Sequence, residues 1–420
     1  MFCSCLNKHF GEKPNSHVCP VCLGLPGALP VPNQKAIEET IIIALAFNCQ
    51  INKSFWFDRK NYFYPDLPKG YQISQNFSPI GINGNVPIRF NGQTKKIFLD
   101  NIHLEEDTGK LIHKNNKTLI DFNRSGVPLV EIVSRPVMHS AEEAKAYLKR
   151  IQQTIRWLGF SDCDMEKGSM RLEANISVLQ LTSSRVNELT SLKLPDYKVE
   201  IKNLNSFRFV EKAINYEIKR QIEILKQGKQ PKQETRGFNV KKGVTYSQRS
   251  KEVAKDYRYF PEPDIPPFKI NDREVSHLKK AIGDLPWAVE KKIIDMKIRG
   301  QWAQIIAQEK STVKLFFEAS KIFTQKVEIA NWLVNKKLPQ NINAKELIKL
   351  IKREKNKFSL SEKEITQEIQ KVIKENHKAV EDYKKGKIQA IGFMIGQVQR
   401  KTKGKADPEI TRKLLLKFLS

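Results

Sequence analysis

Hydrophobic and polar positions alternate along much of the first 270 residues, and beyond about residue 270 helical periodicity takes over. The most informative alternation lies between residues 98 and 136. Phe98, Ile102 and Leu104 share one parity while Asn101, His103 and Glu105 take the other, which predicts a strand and carries Glu106 onto the apolar face. In DFNRSGVPLVEIVSRP, Leu129, Glu131 and Val133 line one strand face while Val130 and Ile132 fill the other. Glu131 is therefore expected as an anion inside a strand apolar on both sides. EKGSMRLEANISV alternates again, with Arg171, Glu173 and Asn175 on the polar side.

Helical spacing predicts an amphipathic helix from about Gln34 to Asn48. A second begins after a capping box of Ser140 and Glu143, buries Ala144, Tyr147, Leu148, Ile151, Ile155 and Leu158, and stops at Gly159. EIKNLNSFRFVEKAI reads as a strand, an Asn and Ser turn, and a helix with a stripe of Val210, Ile214, Ile218, Ile222 and Leu225. Four prolines in DYRYFPEPDIPP mark a boundary. After it, segments near 275 to 282, 286 to 299, 312 to 336, 344 to 355 and 361 to 383 read as helices of small bundles. In the last part Ala390, Phe393, Met394 and Val398 share a face, and a final helix starts at Asp407 with Pro408 at its first position.

Charge adds a partner. Lys and Arg number 73 against 46 Asp and Glu, a net charge of +27, and nucleic acid is the first polyanion such a surface would meet. Residues 341 to 420 are the denser cation, with 20 basic and 10 acidic residues. Arg400, Lys401, Lys403 and Lys405 form a cluster that reads either as a phosphate clamp or as a solvated face. The chain opens without an apolar leader, and its longest apolar run, Ile41 to Phe47, is too short to span a bilayer, so it reads as cytosolic.

Two groups of residues carry candidate chemistry. Cys3-x-Cys5, thirteen residues, then Cys19-x-x-Cys22 has the spacing of two knuckles that close a tetrahedral thiolate site, with zinc the expected ion and His9 and His17 bystanders. Four thiolates leave no open position, so this zinc is structural. Glu106 and Glu131 are carboxylates expected in apolar surroundings, which protonate, pair, or bind a cation. They share a metal, or each is satisfied by a basic residue such as Arg124 or Arg135; Glu173 is either a third acid for the same metal or, the commoner case, a solvated strand-edge residue. The turn after the 200s strand, with Asn203, Asn205 and Ser206, offers a weak anion site at a helix N-terminus. No Walker, Rossmann or kinase motif is present.

The phrases FCSC, PVCLGLPGALPVPN, FDRKNYFYPDLPKGYQISQ, HLEEDTGK, NRSGVPLVEIVS, EIKNLNSFRFVEKAI, DYRYFPEPD, VEDYKKGK and IGFMIGQVQRKTKGKADP together resemble the B subunit of the aspartyl/glutamyl-tRNA(Asn/Gln) amidotransferase. The resemblance runs from residue 1 to about 270 and returns at about 379 to 420. It implies an α+β fold: a mainly antiparallel-sheet cradle domain over 1–270 with a four-cysteine zinc knuckle at 1–25, an all-α helical domain over 271–357, and a helical tRNA-binding tail domain over 358–420. It also implies ATP, magnesium and zinc as cofactors, misacylated tRNA as substrate, and an amidase A subunit and small C subunit as partners in a heterotrimer. Such a subunit is a ligase that forms a carbon–nitrogen bond with glutamine as amido donor. ATP phosphorylates the side-chain carboxylate of Glu or Asp on tRNA, and ammonia from the A subunit then displaces the phosphate.

Carried over by position, Glu106 and Glu131 match magnesium-holding carboxylates. Glu173 stands in Arg171-Leu172-Glu173, where the family reads Arg-Cys-Asp. Arg400, Lys401, Lys403 and Lys405 fall in the tRNA-engaging tail; the sequence does not show the ammonia path, for which Lys60, Tyr62 and Tyr64 are reasonable lining residues. The family's opening strand with its Glu-Val-His phrase has no counterpart here: either Met1 is internal to a longer frame that restores it, the favoured reading, or part of the metal site has been lost. Residues 338 to 378 read as a shortened stretch. A zinc-containing RNA-binding protein without catalysis is the alternative. A metal-dependent nuclease is disfavoured, because no acid cluster with a nearby catalytic Lys or His appears.

Overall fold

The strand Gln93–Glu106 runs through the middle of a five-stranded antiparallel sheet, between Gly81–Ile82 and Pro128–Ser134, with Gln50–Ile51 at one edge and Asn85–Phe90 paired to its first half. The structure is a computed structural model that describes residues 1–179, 194–250, 257–357 and 360–419. Asp256, which opens the DYRYFPEPD phrase, and residue 358, where the tail domain is expected to begin, lie outside the described residues. No helix among the described residues is long and apolar enough to cross a membrane.

The long strand changes phase partway. Ile97 and Leu99 are buried, then Ile102 and Leu104, and pairing passes from Val133↔Asn101 to Ser134↔Leu99 without a partner for Asp100. One extra residue in a strand turns everything beyond it to the opposite face. Phe98 therefore does not share the apolar face of Ile102 and Leu104 as its parity suggested; it is 48% exposed. Each of the four buried aliphatics contributes about 2 kcal/mol. Helix Ala141–Leu158 packs Tyr147, Ile151 and Ile155 into the same core. Ser140 caps it by accepting from the Glu143 N–H at 3.1 Å, and Gly159 ends it with φ +82°. The Glu143 carboxylate accepts from the His139 N–H (2.7 Å) and from Lys95 of the long strand, instead of closing the box on Ser140.

A second sheet joins Leu172–Ile176, Val199–Leu204, Glu234–Asn239 and Val244–Ser250. Its central pair is parallel, because helix Phe207–Lys226 makes the crossover between those strands. This helix buries Val210, Ala213 and Ile214, then Glu217 and Gln221 in place of the expected Ile222 and Leu225. The Glu217 carboxylate is satisfied by Arg220 (2.6 Å), the Thr245 hydroxyl (3.0 Å) and the Gln221 amide (2.9 Å), so the turn of helix facing the sheet is polar.

A small sheet of Phe260–Pro261, Asp58–Asn61 and Tyr71–Ser74 covers the end of the long strand. The Gln75 amide oxygen accepts from the Leu104 N–H at 3.0 Å, and the Gln72 amide donates to the Glu106 carbonyl at 2.8 Å. Both faces of residues 102 to 106 are thereby buried.

The chain divides into two compact units at Trp287/Ala288. Helix Asp272–Lys280 belongs to the first unit, although the proline boundary precedes it, because its Leu278 joins the core of Ile37 and Ile41 on helix Gln34–Ala46. In the second unit the expected 312 to 336 segment is two helices, Lys310–Ile322 and Lys326–Asn335, separated where Phe323 turns extended. The 361 to 383 segment likewise breaks at Asn376 into Glu362–Glu375 and His377–Lys384. These two pack with Ala390–Lys401 and Pro408–Leu419 around Ile365, Ile369, Met394 and Leu415. The buried stripe of Ala390–Lys401 is Ile391, Met394 and Val398; Phe393 faces solvent. Asp407 caps the last helix by accepting from the Glu409 and Ile410 N–H groups.

Candidate functional site

The bulge and the pairing register decide which acids meet. Glu131 lies directly opposite His103 across the sheet, and Glu105, two residues on, shares that face. One ligand atom each of His103, Glu105 and Glu131 lie within 4.8 Å of one another. Glu106 points the other way. It is 2% exposed and accepts from Lys69 Nζ at 2.7 Å and from the Ile73 N–H at 2.9 Å. The structure does not bring Glu106 and Glu131 together; the basic partner weighed for such an acid is present, but it is Lys69, not Arg124 or Arg135. Arg124 is held by Asp107 and the carbonyls of Thr108 and Gly109. Glu131 is also not enclosed: its side chain is 51% exposed, because its face of the sheet opens toward the site.

His103 is oriented for ligation. The Asn101 amide gives its N–H to Asp100 (2.9 Å), which turns its oxygen toward His103 Nδ1 at 2.8 Å. An oxygen there can only accept, so Nδ1 carries a hydrogen and Nε2 is the ring nitrogen turned toward Glu131 (3.4 Å) and Glu105 (3.9 Å). Hydrogen bonding to His103 holds the Glu131 carboxyl below the usual range against the opposing effect of burial. Burial pushes Glu105 up, opposed by Lys60, His103 and the Ser74 hydroxyl, which donates to it at 3.0 Å. A nitrogen and two carboxylates on one face are a fitting donor set for a divalent cation.

Around this triad stand groups from two other sheets and their loops. Glu173 is half exposed and reaches Lys202 at 3.2 Å, while Lys202 also meets Glu200 at 3.4 Å. Burial raises the Glu173 carboxyl, Lys202 opposes this, and Glu131 is near enough to add its repulsion. Lys60 lies over the rings of Tyr62 and Tyr257 at 5.9 and 5.3 Å. Burial pushes the Tyr62 and Tyr259 hydroxyls up, with Glu105 adding to both. Tyr64 is exposed, so of the three lining candidates Lys60 and Tyr62 come to the site. The sequence reading passed over His103 and Glu105. The signal was available in their shared polar parity, but only the register sets Glu131 opposite them.

The four cysteines of the first 25 residues converge. Their sulfurs lie within 4.8 Å of one another, with Cys3–Cys22 at 3.4 Å and Cys19–Cys22 at 3.6 Å. Tetrahedral zinc with bonds of about 2.3 Å places sulfurs roughly 3.8 Å apart, so the set fits that ion. Burial pushes the Cys5 thiol up to about 11, and the Cys22 and Val21 N–H groups with the neighbouring thiols hold Cys19 down at about 7 against burial. The knuckle docks on the loop that feeds the Glu131 strand: Ser125 donates to the Cys22 carbonyl (3.1 Å), and the His17 N–H donates to Asn123 (2.8 Å). His17 Nε2 faces Glu12 at 3.4 Å, away from any ligand role.

Asn203 takes a left-handed φ of +61° and, like Asn205, is exposed, while Ser206 spends its hydroxyl capping Phe209 N at 3.1 Å. In the second unit Arg400, Lys401, Lys403 and Lys405 are all exposed where helix Ala390–Lys401 ends. Lys401 pairs with Glu375; among the described residues the other three have no carboxylate partner.

Family models match two segments: a GatB/GatE catalytic domain over residues 1–276 and a GatB domain over residues 306–419. The B subunit of the aspartyl/glutamyl-tRNA(Asn/Gln) amidotransferase of Thermoanaerobacter pseudethanolicus is 42% identical, covering 100% of this chain and 96% of that protein. Those of Persephonella marina and Thermotoga maritima are 40% and 38% identical, each covering 100% of this chain and 95% of the relative. Matched by family models over most of its length and covering 95 to 96% of these relatives, this chain belongs to the GatB family.

Proposed function

We propose that this chain activates misacylated Glu-tRNA(Gln), Asp-tRNA(Asn) or both for amidation, as the B subunit of an ATP-dependent tRNA amidotransferase. The observation that carries the reading is the His103, Glu105 and Glu131 triad, with Lys60 and Lys202 beside it. The substrate's side-chain carboxylate oxygen attacks the terminal phosphorus of ATP, breaking the bond to ADP. Ammonia nitrogen then attacks the acyl carbon, phosphate leaves, and the nitrogen sheds a proton to give Gln-tRNA(Gln) or Asn-tRNA(Asn).

His103, Glu105 and Glu131 would hold magnesium, which when bound neutralises charge on the transferring phosphoryl group. Glu173 sits at the rim, where Lys202 orients it. Cys3, Cys5, Cys19 and Cys22 would hold a structural zinc that fixes the loop leading to Glu131. Ammonia comes from glutamine on an amidase A subunit, with a small C subunit completing the complex in the cytoplasm. The cations Arg400, Lys401, Lys403 and Lys405 engage the tRNA backbone.

The test is ATP-dependent amidation of misacylated tRNA by the complex with A and C subunits. Glu105→Gln and Glu131→Gln should each remove it while leaving glutaminase activity of the A subunit in place. Unchanged turnover in both would sink the assignment.

A further inference from the structure

Among the described residues, the cations around the triad are spent on carboxylates with one exception. Lys69 bonds Glu106, Lys202 bonds Glu173 and Glu200, and Arg59 holds Glu262 through two nitrogens at 2.7 and 2.8 Å. Lys60 is the exception. Among the described residues no carboxylate lies within ion-pair range of its Nζ, which rests on Tyr62 and Tyr257. It is nevertheless close enough to Glu105 and Glu131 for its charge to favour their ionised forms.

Strand geometry explains this placement. Along Asp58–Asn61, Asp58 and Lys60 share one face and Arg59 the other, where Glu262 takes it. Asp58 is fully occupied: it accepts from the Asn76 and Phe77 N–H groups at 2.7 and 3.0 Å and from the Trp56 ring N–H at 3.1 Å. That leaves Lys60 without an ion-pair partner on its own strand. Two aromatic faces compensate an ammonium less than an anion would.

We propose that Lys60 is a phosphate-binding residue whose ammonium takes the terminal phosphoryl group of a nucleoside triphosphate held over the His103, Glu105 and Glu131 face. A single divalent cation leaves a triphosphate with net negative charge, and a compact ammonium is suited to that excess. The assignment rests on the ATP-using reading of the site.

Binding of the β,γ-imido analogue of ATP and of ADP, each with Mg2+, to the complex with A and C subunits tests it by isothermal calorimetry. Lys60→Met keeps the chain length over the rings and removes the charge. It should weaken the triphosphate analogue about 10- to 100-fold and leave ADP within a factor of two, with Lys60→Arg recovering part of the loss. If the Met variant fails to assemble, Lys60→Gln makes the same comparison. Wild-type affinity for the analogue in the variant, or equal losses for both nucleotides, overturns the role of Lys60 alone. A wild-type complex that binds neither nucleotide overturns the ATP-using reading and this assignment with it.

Discussion

Glu131 Oε2 lies 3.4 Å from His103 Nε2, and the two residues stand directly opposite each other across an antiparallel pair. Glu105 joins them because it is two residues from His103, whereas Glu106, one residue further, is carried to the other face. Adjacent acids therefore have different work.

Glu131→Gln and Glu105→Gln should each lower ATP-dependent amidation by two orders of magnitude or more, about 3 kcal/mol of transition-state stabilisation. The electron paramagnetic resonance signal of bound Mn2+, used in place of Mg2+, should weaken in both variants. Retention of tight Mn2+ binding in both would remove the triad as the metal site.

Glu106→Ala leaves the largely buried Lys69 ammonium without its carboxylate. The first unit should lose about 3 kcal/mol of stability, read as a lower urea midpoint by tryptophan fluorescence. Mn2+ affinity at the triad should stay near the wild-type value. A variant as stable as wild type would mean that Lys69 finds another partner.

Acid should weaken the attachment of helix Ala141–Leu158. The His139 N–H and Lys95 outweigh burial and hold the Glu143 carboxyl below its ordinary 4.5, so the folded state binds fewer protons than the unfolded one. The stabilisation is present above pH 4.5 and is lost as pH falls through the depressed folded value. Melting temperatures of wild type and Glu143→Gln should differ at pH 6 and converge toward pH 3; a constant difference would contradict this.

Removing a zinc ligand should loosen the strand that bears Glu131. Cys22→Ser should lose stoichiometric zinc by elemental analysis and lower the melting temperature, because the zinc proposed there would close the knuckle that holds Ser125 and Asn123. Full zinc retention in the variant would exclude a four-thiolate site.

Neutralising the tail tests the tRNA surface without disturbing the helices. Arg400, Lys403 and Lys405 are exposed and carry no core packing, whereas deleting residues 380 to 420 would remove Met394, Val398 and Leu415 from their shared core. Replacing the three by Gln should lower the slope of log affinity for tRNA against log salt by roughly two. An unaltered slope would make the cluster solvated surface only.

Much of this was legible along the chain. The cysteine spacing, the strand that carries Glu131, the Ser140 and Gly159 helix ends and the Pro408 helix start all follow from local chemistry: thiolate number, period-two alternation, capping and proline's fixed φ. The helical stripes were less legible where burial is polar, as at Glu217 and Gln221, since periodicity counts only apolar residues.

What the sequence determined by itself was the family phrases, the elements and the types of residue available for chemistry. Which of them meet was a tertiary matter. The unpaired Asp100 sets the phase of the long strand, and the register sets Glu131 against His103. The covering sheet gives Glu106 to Lys69 and leaves Lys60 to the aromatic shelf. Alternation tells only which residues share a face; which face meets which partner depends on contacts between segments far apart in the chain.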